Sequence, residues 1–129
     1  MYGVYILDSD QTVIDSVKKL VPWRENGFRF IGSNTDSGKA EQEIMALKPV
    51  LVIYEWQVGG ATLMKKLRAA GAECEFVVLT DNQSVSALRD FYTNGGLEYL
   101  LKPLDIKEAE SVLSAIRQKR TVRAVQQPM

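Results

Sequence analysis

The chain alternates five times between a short apolar run and an amphipathic stretch at helical spacing. The runs occupy residues 3–7, 28–32, 50–54, 76–79 and 97–101. Arg29 and Glu98 interrupt the second and fifth; hydrophobic runs of this length read as buried strands of a parallel sheet covered by helices. Five βα units in series predict a three-layer α/β sandwich with right-handed crossovers.

The stretches between the runs carry helical patterns with recognisable stops. The first places Val13, Ile14, Val17, Leu20 and Val21 on one face. The second carries Ala40, Ile44 and Leu47, and Pro49 ends it, because proline clashes with a helix interior. The third carries Leu63, Met64, Leu67 and Ala70, with Gly71 as its C-terminal stop. The fourth has Val85, Leu88, Phe91 and Tyr92 and runs into Asn94-Gly95-Gly96. The fifth starts at Asp105 as N-cap and carries Ile106, Ala109, Val112, Leu113 and Ile116. Residues 56–61 read as a loop, with Gly59 and Gly60 serving its geometry.

Composition removes several function classes. At 129 residues the chain is one domain with a real core. Formal net charge is zero, so no global basic field argues for nucleic acid. There is no histidine, which excludes histidine phosphotransfer on this chain, Ser-His-Asp catalysis and His-based zinc sites. The one cysteine, Cys74, excludes an internal disulfide and a CxxC site, and reads as a buried spectator. No apolar stretch is long enough to span a membrane, and no signal-peptide pattern opens the chain; the expectation is a cytoplasmic protein.

Three runs end in polar residues: Leu7 leads into Asp8-Ser9-Asp10, Leu79 into Thr80, and Leu101 into Lys102-Pro103. Polar residues at the carboxyl ends of parallel strands gather in one crevice, where open α/β folds keep their sites. Carboxylates, a hydroxyl and a lysine would meet there, a combination suited to phosphoryl groups.

With those motifs in that order, the chain resembles a receiver domain of two-component response regulators over residues 1–120, with residues 121–129 as a linker or terminal tail. It resembles above all the receivers that precede AraC-type DNA-binding domains, through Lys19-Leu20-Val21-Pro22-Trp23-Arg24-Glu25-Asn26-Gly27-Phe28 and Tyr99-Leu100-Leu101-Lys102-Pro103-Leu104-Asp105. The resemblance implies a flavodoxin-like (βα)5 fold with strand order 2-1-3-4-5. It implies that Asp8 is a metal-binding acid, that Thr80 and Tyr99 are the switch pair, and that Lys102 contacts phosphoryl oxygens. It also implies a cis bond between Lys102 and Pro103.

The departures from the family pattern carry the sharper expectation. Ser9 stands where the family has a second acidic metal ligand, and Glu55 stands at the phosphoacceptor aspartate. Asp10 either compensates within the acidic pocket or caps the first helix. The connection after Glu55 lacks about three residues of the family's loop on alignment. Mg²⁺ needs near-octahedral oxygen ligation, and exchanging a carboxylate for a hydroxyl removes a full charge from its shell. The extra methylene of Glu55 displaces its carboxylate by about 1.5 Å; errors of that order cost about 100-fold in rate. The expectation is therefore a non-enzymatic, phosphorylation-independent receiver with weak or absent Mg²⁺ at Asp8 and no other cofactor. Glu55 either imitates the phosphorylated state by reaching Lys102, or marks an inert site in a dimerisation module.

The partners implied are a second copy, through the fourth helix, fifth strand and fifth helix, an AraC-type DNA-binding domain, and a sensor histidine kinase. Arg89, Asp90, Lys107 and Glu110 are candidates for ion pairs across such a dimer. Direct contact of this domain with nucleic acid or membrane is not expected. The rival reading comes from Leu7-Asp8-Ser9-Asp10-Gln11-Thr12, which resembles the first motif of haloacid-dehalogenase-type Mg²⁺-dependent phosphatases, with Asp8 as nucleophile and Asp10 as acid/base. Gln11 in place of glycine and the lack of an acidic motif after Lys102 count against it.

Overall fold

The computed structural model describes residues 1–126, with side chains described through Arg123. Five strands form one parallel sheet in the order β2-β1-β3-β4-β5. They are β1 (Tyr2–Leu7), β2 (Phe28–Asn34), β3 (Leu51–Tyr54), β4 (Glu75–Thr80) and β5 (Glu98–Leu101). The helices are α1 (Gln11–Leu20), α2 (Ser37–Leu47), α3 (Trp56–Ala69), α4 (Val85–Thr93) and α5 (Ile106–Gln126). This is the flavodoxin-like receiver fold with the expected strand order.

The central strands β1, β3 and β4 are apolar on both faces because each face meets its own core. Val4, Ile6, Leu51, Ile53, Val77 and Leu79 pack with Ile14 and Val17 of α1 and with Leu113 and Ile116 of α5. The alternate residues Tyr5, Leu7, Val52, Tyr54, Phe76 and Val78 pack with Ile44 of α2, Leu63, Met64 and Leu67 of α3, and Phe91 of α4. Side chains alternate across a strand, so successive residues serve opposite layers. The sheet thus becomes the middle of three.

Side-chain caps start all five helices. Asp10 accepts from the Thr12 N–H at 2.9 Å, Asp36 from Lys39, Glu55 from Gln57, Ser84 from Ala87 and Asp105 from Lys107. Each satisfies a donor that a helix start otherwise leaves without a partner. At the other end of α2, Lys48 takes the left-handed conformation (φ 51°) just before Pro49.

The expected loop at 56–61 is instead the start of α3, a correction with a local cause. Glu55 caps a first turn, and the helix then kinks at Gly60 (φ 53°, ψ −156°). The Tyr54 hydroxyl donates to the Gly60 carbonyl at 2.8 Å and holds the kink. At the other end of the chain, α5 continues through Gln126, across the start of the expected tail; residues 127–129 lie outside the described residues. No helix among the described residues is long and apolar enough to cross a membrane.

Candidate functional site

Three strand ends build the site. β1 delivers Asp8, β3 delivers Glu55, and the segment after β5 delivers Lys102 beside a cis Lys102–Pro103 bond. Because β1 and β3 are neighbours in register, with Leu7 opposite Tyr54, the two carboxylates emerge side by side. The Lys102 ammonium sits between them, 2.9 Å from Asp8 Oδ2 and 2.9 Å from Glu55 Oε1. Asp8 and Glu55 are both buried.

The remaining carboxylate oxygens are also engaged. Asp8 Oδ1 accepts from the Asp10 N–H at 2.9 Å. Glu55 Oε2 accepts from the Gln57 N–H at 3.2 Å. Burial pushes the Glu55 carboxyl up, but the Thr80 hydroxyl, the Lys102 ammonium and the Gln57 N–H together outweigh it, leaving the group below the usual carboxylate range. Burial likewise pulls the Lys102 ammonium down, and its bonds to Glu55 and Asp8 overcome this and raise it. Glu55 and Lys102 are therefore both charged at neutral pH.

Asp10 does not join this pocket. It is exposed and capping α1, with its carboxylate on the Thr12 N–H. Ser9 is exposed beside it. Local geometry decides this: the chain turns into α1 directly after Asp8, so the next acid faces the helix start. Among the described residues no three acidic or thiol side chains converge on one point. The two buried carboxylates already share one ammonium, and a divalent cation would have to displace it. The residues present do not suit a Mg²⁺ site. The phosphatase reading loses its geometry too, since Asp8 is salt-bridged and Asp10 is a helix cap.

Thr80 and Tyr99 meet through an unexpected residue. The Thr80 hydroxyl accepts from the Asn82 N–H at 3.1 Å. The Tyr99 hydroxyl donates to the Asn82 carbonyl at 2.6 Å. Asn82 also holds the Ser84 N–H through its own side chain at 2.8 Å, so it organises the entry to α4. The sequence signal for it is weak: an Asp-Asn-Gln-Ser stretch marks a turn without saying what the turn will hold.

Trp56 lies against this group and closes the gap between α3 and α4. Its ring is 6.5 Å from Tyr99, 6.2 Å from Phe91 and 6.4 Å from Tyr54, centroid to centroid. These are tilted and edge-on contacts of the favoured kind. Of the residues expected to exchange ions across a dimer, Glu110 is committed elsewhere and accepts from the Asn26 side chain at 2.9 Å.

No protein-family model matches the chain. Sequence relatives do exist. An uncharacterized response regulatory protein of Staphylococcus epidermidis is 26% identical over 122 residues, covering 92% of this chain and 48% of that protein. The uncharacterized transcriptional regulatory protein YesN of Bacillus subtilis is 25% identical over 119 residues, covering 90% of this chain and 32% of that protein. The chain thus spans about half or less of the curated relatives it matches. Among solved structures, the REC domain of AraT, a response regulator from Geobacillus stearothermophilus, superposes with a TM-score of 0.86 at 20% identity, covering 95% of this chain and 98% of that one. Fold and relatives together support a response-regulator receiver domain.

Proposed function

We propose that this chain is a non-enzymatic regulatory receiver domain, part of a cytoplasmic transcriptional response regulator, that works without phosphorylation. The observation that carries this reading is the placement of Lys102 Nζ 2.9 Å from both Asp8 and Glu55. Glu55 occupies the acceptor position, and its side chain already reaches the lysine that would contact a phosphoryl group. Its other oxygen caps α3. A carboxylate with both oxygens engaged is a poor nucleophile, and a divalent cation could assist it only by displacing the ammonium of Lys102.

On this reading Glu55 stands in, in part, for an acyl phosphate. It supplies one negative charge where a phosphoryl group supplies about two, and fewer acceptor oxygens. Thr80 and Tyr99, both bonded to Asn82, hold the entry to α4 in one arrangement. Exposed Val85, Leu88 and Tyr92 on α4, Leu101 at the end of β5 and Ile106 on α5 supply apolar surface for a homodimer through that face. The output is an AraC-type DNA-binding domain, suggested by the subgroup motifs around Pro22-Trp23 and Lys102-Pro103. This domain positions that output, and a sensor kinase has no acceptor on it.

The test is incubation with acetyl phosphate and Mg²⁺, followed by intact-mass measurement and sedimentation. The expected result is no phosphoryl adduct and no change in association state. An adduct on the wild-type chain that disappears in Glu55→Gln would overturn the proposal.

A further inference from the structure

The two halves of α5 are held to the body by different forces. Ala109, Val112, Leu113 and Ile116 bury their side chains in the core shared with α1. After Ile116 no described side chain of the helix is buried, and Val122 lies exposed. Three polar contacts stand in for the apolar anchor. Arg117 donates to the carbonyl of Asn26, at the end of the short helical turn before β2. Lys119 pairs with the buried carboxylate of Glu75, the first residue of β4, at 2.8 Å. Arg120 donates from Nη2 to the Glu73 carbonyl at 3.0 Å.

The packing beneath this stretch is open. Arg120 lines an apolar cleft of about 400 Å³ together with Ile44, Val50 and Ala72. Lys119 and Arg123 line a second cleft of about 660 Å³ with Arg68. Docking also carries a cost. Arg120 Nε is buried and has no hydrogen-bond partner among the described residues, and an unsatisfied buried donor is destabilising. Lifting the turn returns that donor to water. The helix itself has a weak point here: the Thr121 hydroxyl donates to the Arg117 carbonyl one turn back, at 2.9 Å. Back-bonding of this kind slightly destabilises a helix and often bends it.

We propose that residues 117–123 form a detachable strap, which leaves the body and returns as a unit while the core half of α5 stays in place. The Lys119–Glu75 ion pair is its catch. The ammonium end of that pair is half open to solvent, so dissolved salt reaches it. The direction of these turns is then set by ionic contacts rather than by the core. The strap lies away from the Asp8–Lys102–Glu55 triad and does not depend on how that triad functions.

Amide hydrogen exchange of the isotope-labelled full chain tests this, in about 0.01 M and about 1 M NaCl. A helix end without tertiary support frays, so exchange at residues 120–123 reports release, and residues 109–116 in the same sample report the core half. The expected result is about threefold faster exchange at 120–123 in high salt, with 109–116 unchanged. Glu75→Gln and Lys119→Met should each accelerate 120–123 by about tenfold in low salt and remove the salt response. Glu75→Gln leaves no unpaired buried charge, so it separates loss of the catch from loss of the fold. Exchange at 120–123 that ignores salt, or that is unchanged in Glu75→Gln, would overturn the proposal. So would equal acceleration along the whole of α5, which would make the helix a single unit.

Discussion

The Tyr99 hydroxyl donates to the Asn82 carbonyl at 2.6 Å, tying β5 to the turn that opens α4. Two elements that are not joined by a covalent crossover at this point are thus coupled by one phenol. Removing that hydroxyl leaves the ring packing on Trp56 and Phe91 intact, so Tyr99→Phe isolates the bond. The expected loss is about 1 kcal/mol of stability, with faster amide exchange at residues 81–84. Unchanged exchange there would show that Asn82 is held by Thr80 alone.

Glu55→Gln should separate charge from shape at the strand-end triad. The folded-state pKa of Glu55 is lowered, so its contribution is fully present above the unfolded value of about 4.3 and is lost as pH falls through the lower folded value. The folded-state pKa of Lys102 is raised, so its contribution is full below about 10.4 and is lost only as pH rises through a still higher value. Wild type should exceed the variant by about 1–3 kcal/mol at pH 7, and the gap should narrow at pH 3. Urea unfolding at the two pH values measures it, and a gap independent of pH would contradict the charged pair.

Lys102→Met should be the more damaging change. It leaves Asp8 and Glu55 buried side by side with no counter-charge, a loss of about 3–5 kcal/mol. The Glu55 carboxyl would then titrate higher, because it loses the ammonium that holds it down and keeps its burial. Stability of the variant relative to wild type should therefore recover as pH falls, the reverse of the usual acid sensitivity. Thermal melts from pH 7 to pH 4 would show it.

Gly96→Ala tests packing rather than charge. A methyl group at Gly96 would overlap the ring of Phe91, a fully buried residue of the α4-side core. The Gly96 N–H also donates to the Phe91 carbonyl at 3.0 Å, which keeps the two backbones close. The expected cost is about 1–3 kcal/mol from overpacking, read by chemical unfolding. A neutral substitution would mean that the α4–β5 turn is free to move outward.

The architecture was legible because the central strands β1, β3 and β4 are buried on both faces and four of the five helices begin at an Asp or Ser cap. Asp8, Thr80 and Lys102 could be placed from sequence because each directly ends a buried run. The ambiguity at Asp10 turned on a single backbone turn, which composition does not encode. The first turn of α3 was hidden because Gly59 and Gly60 argue for a loop, while the cap that overrides them comes from Glu55. Asn82 escaped notice because two of its three bonds use its backbone, which any residue possesses, and its side chain only caps a local turn. The ion pair of Glu75 with Lys119 spans 44 positions and has no local signature. The apolar cleft beside Arg120 arises from where two turns end, which no periodicity reports.

The carboxylate of Glu55 holds a helix start with one oxygen and an ammonium with the other. An aspartate there, one methylene shorter, would have to give up at least one of these duties. Glu55→Asp would therefore give up the bond to Lys102 or the cap on Gln57, and Ser9 would still lack the charge a metal needs. One side chain thus couples the strand-end ion pairs to the start of α3, so neither can change alone.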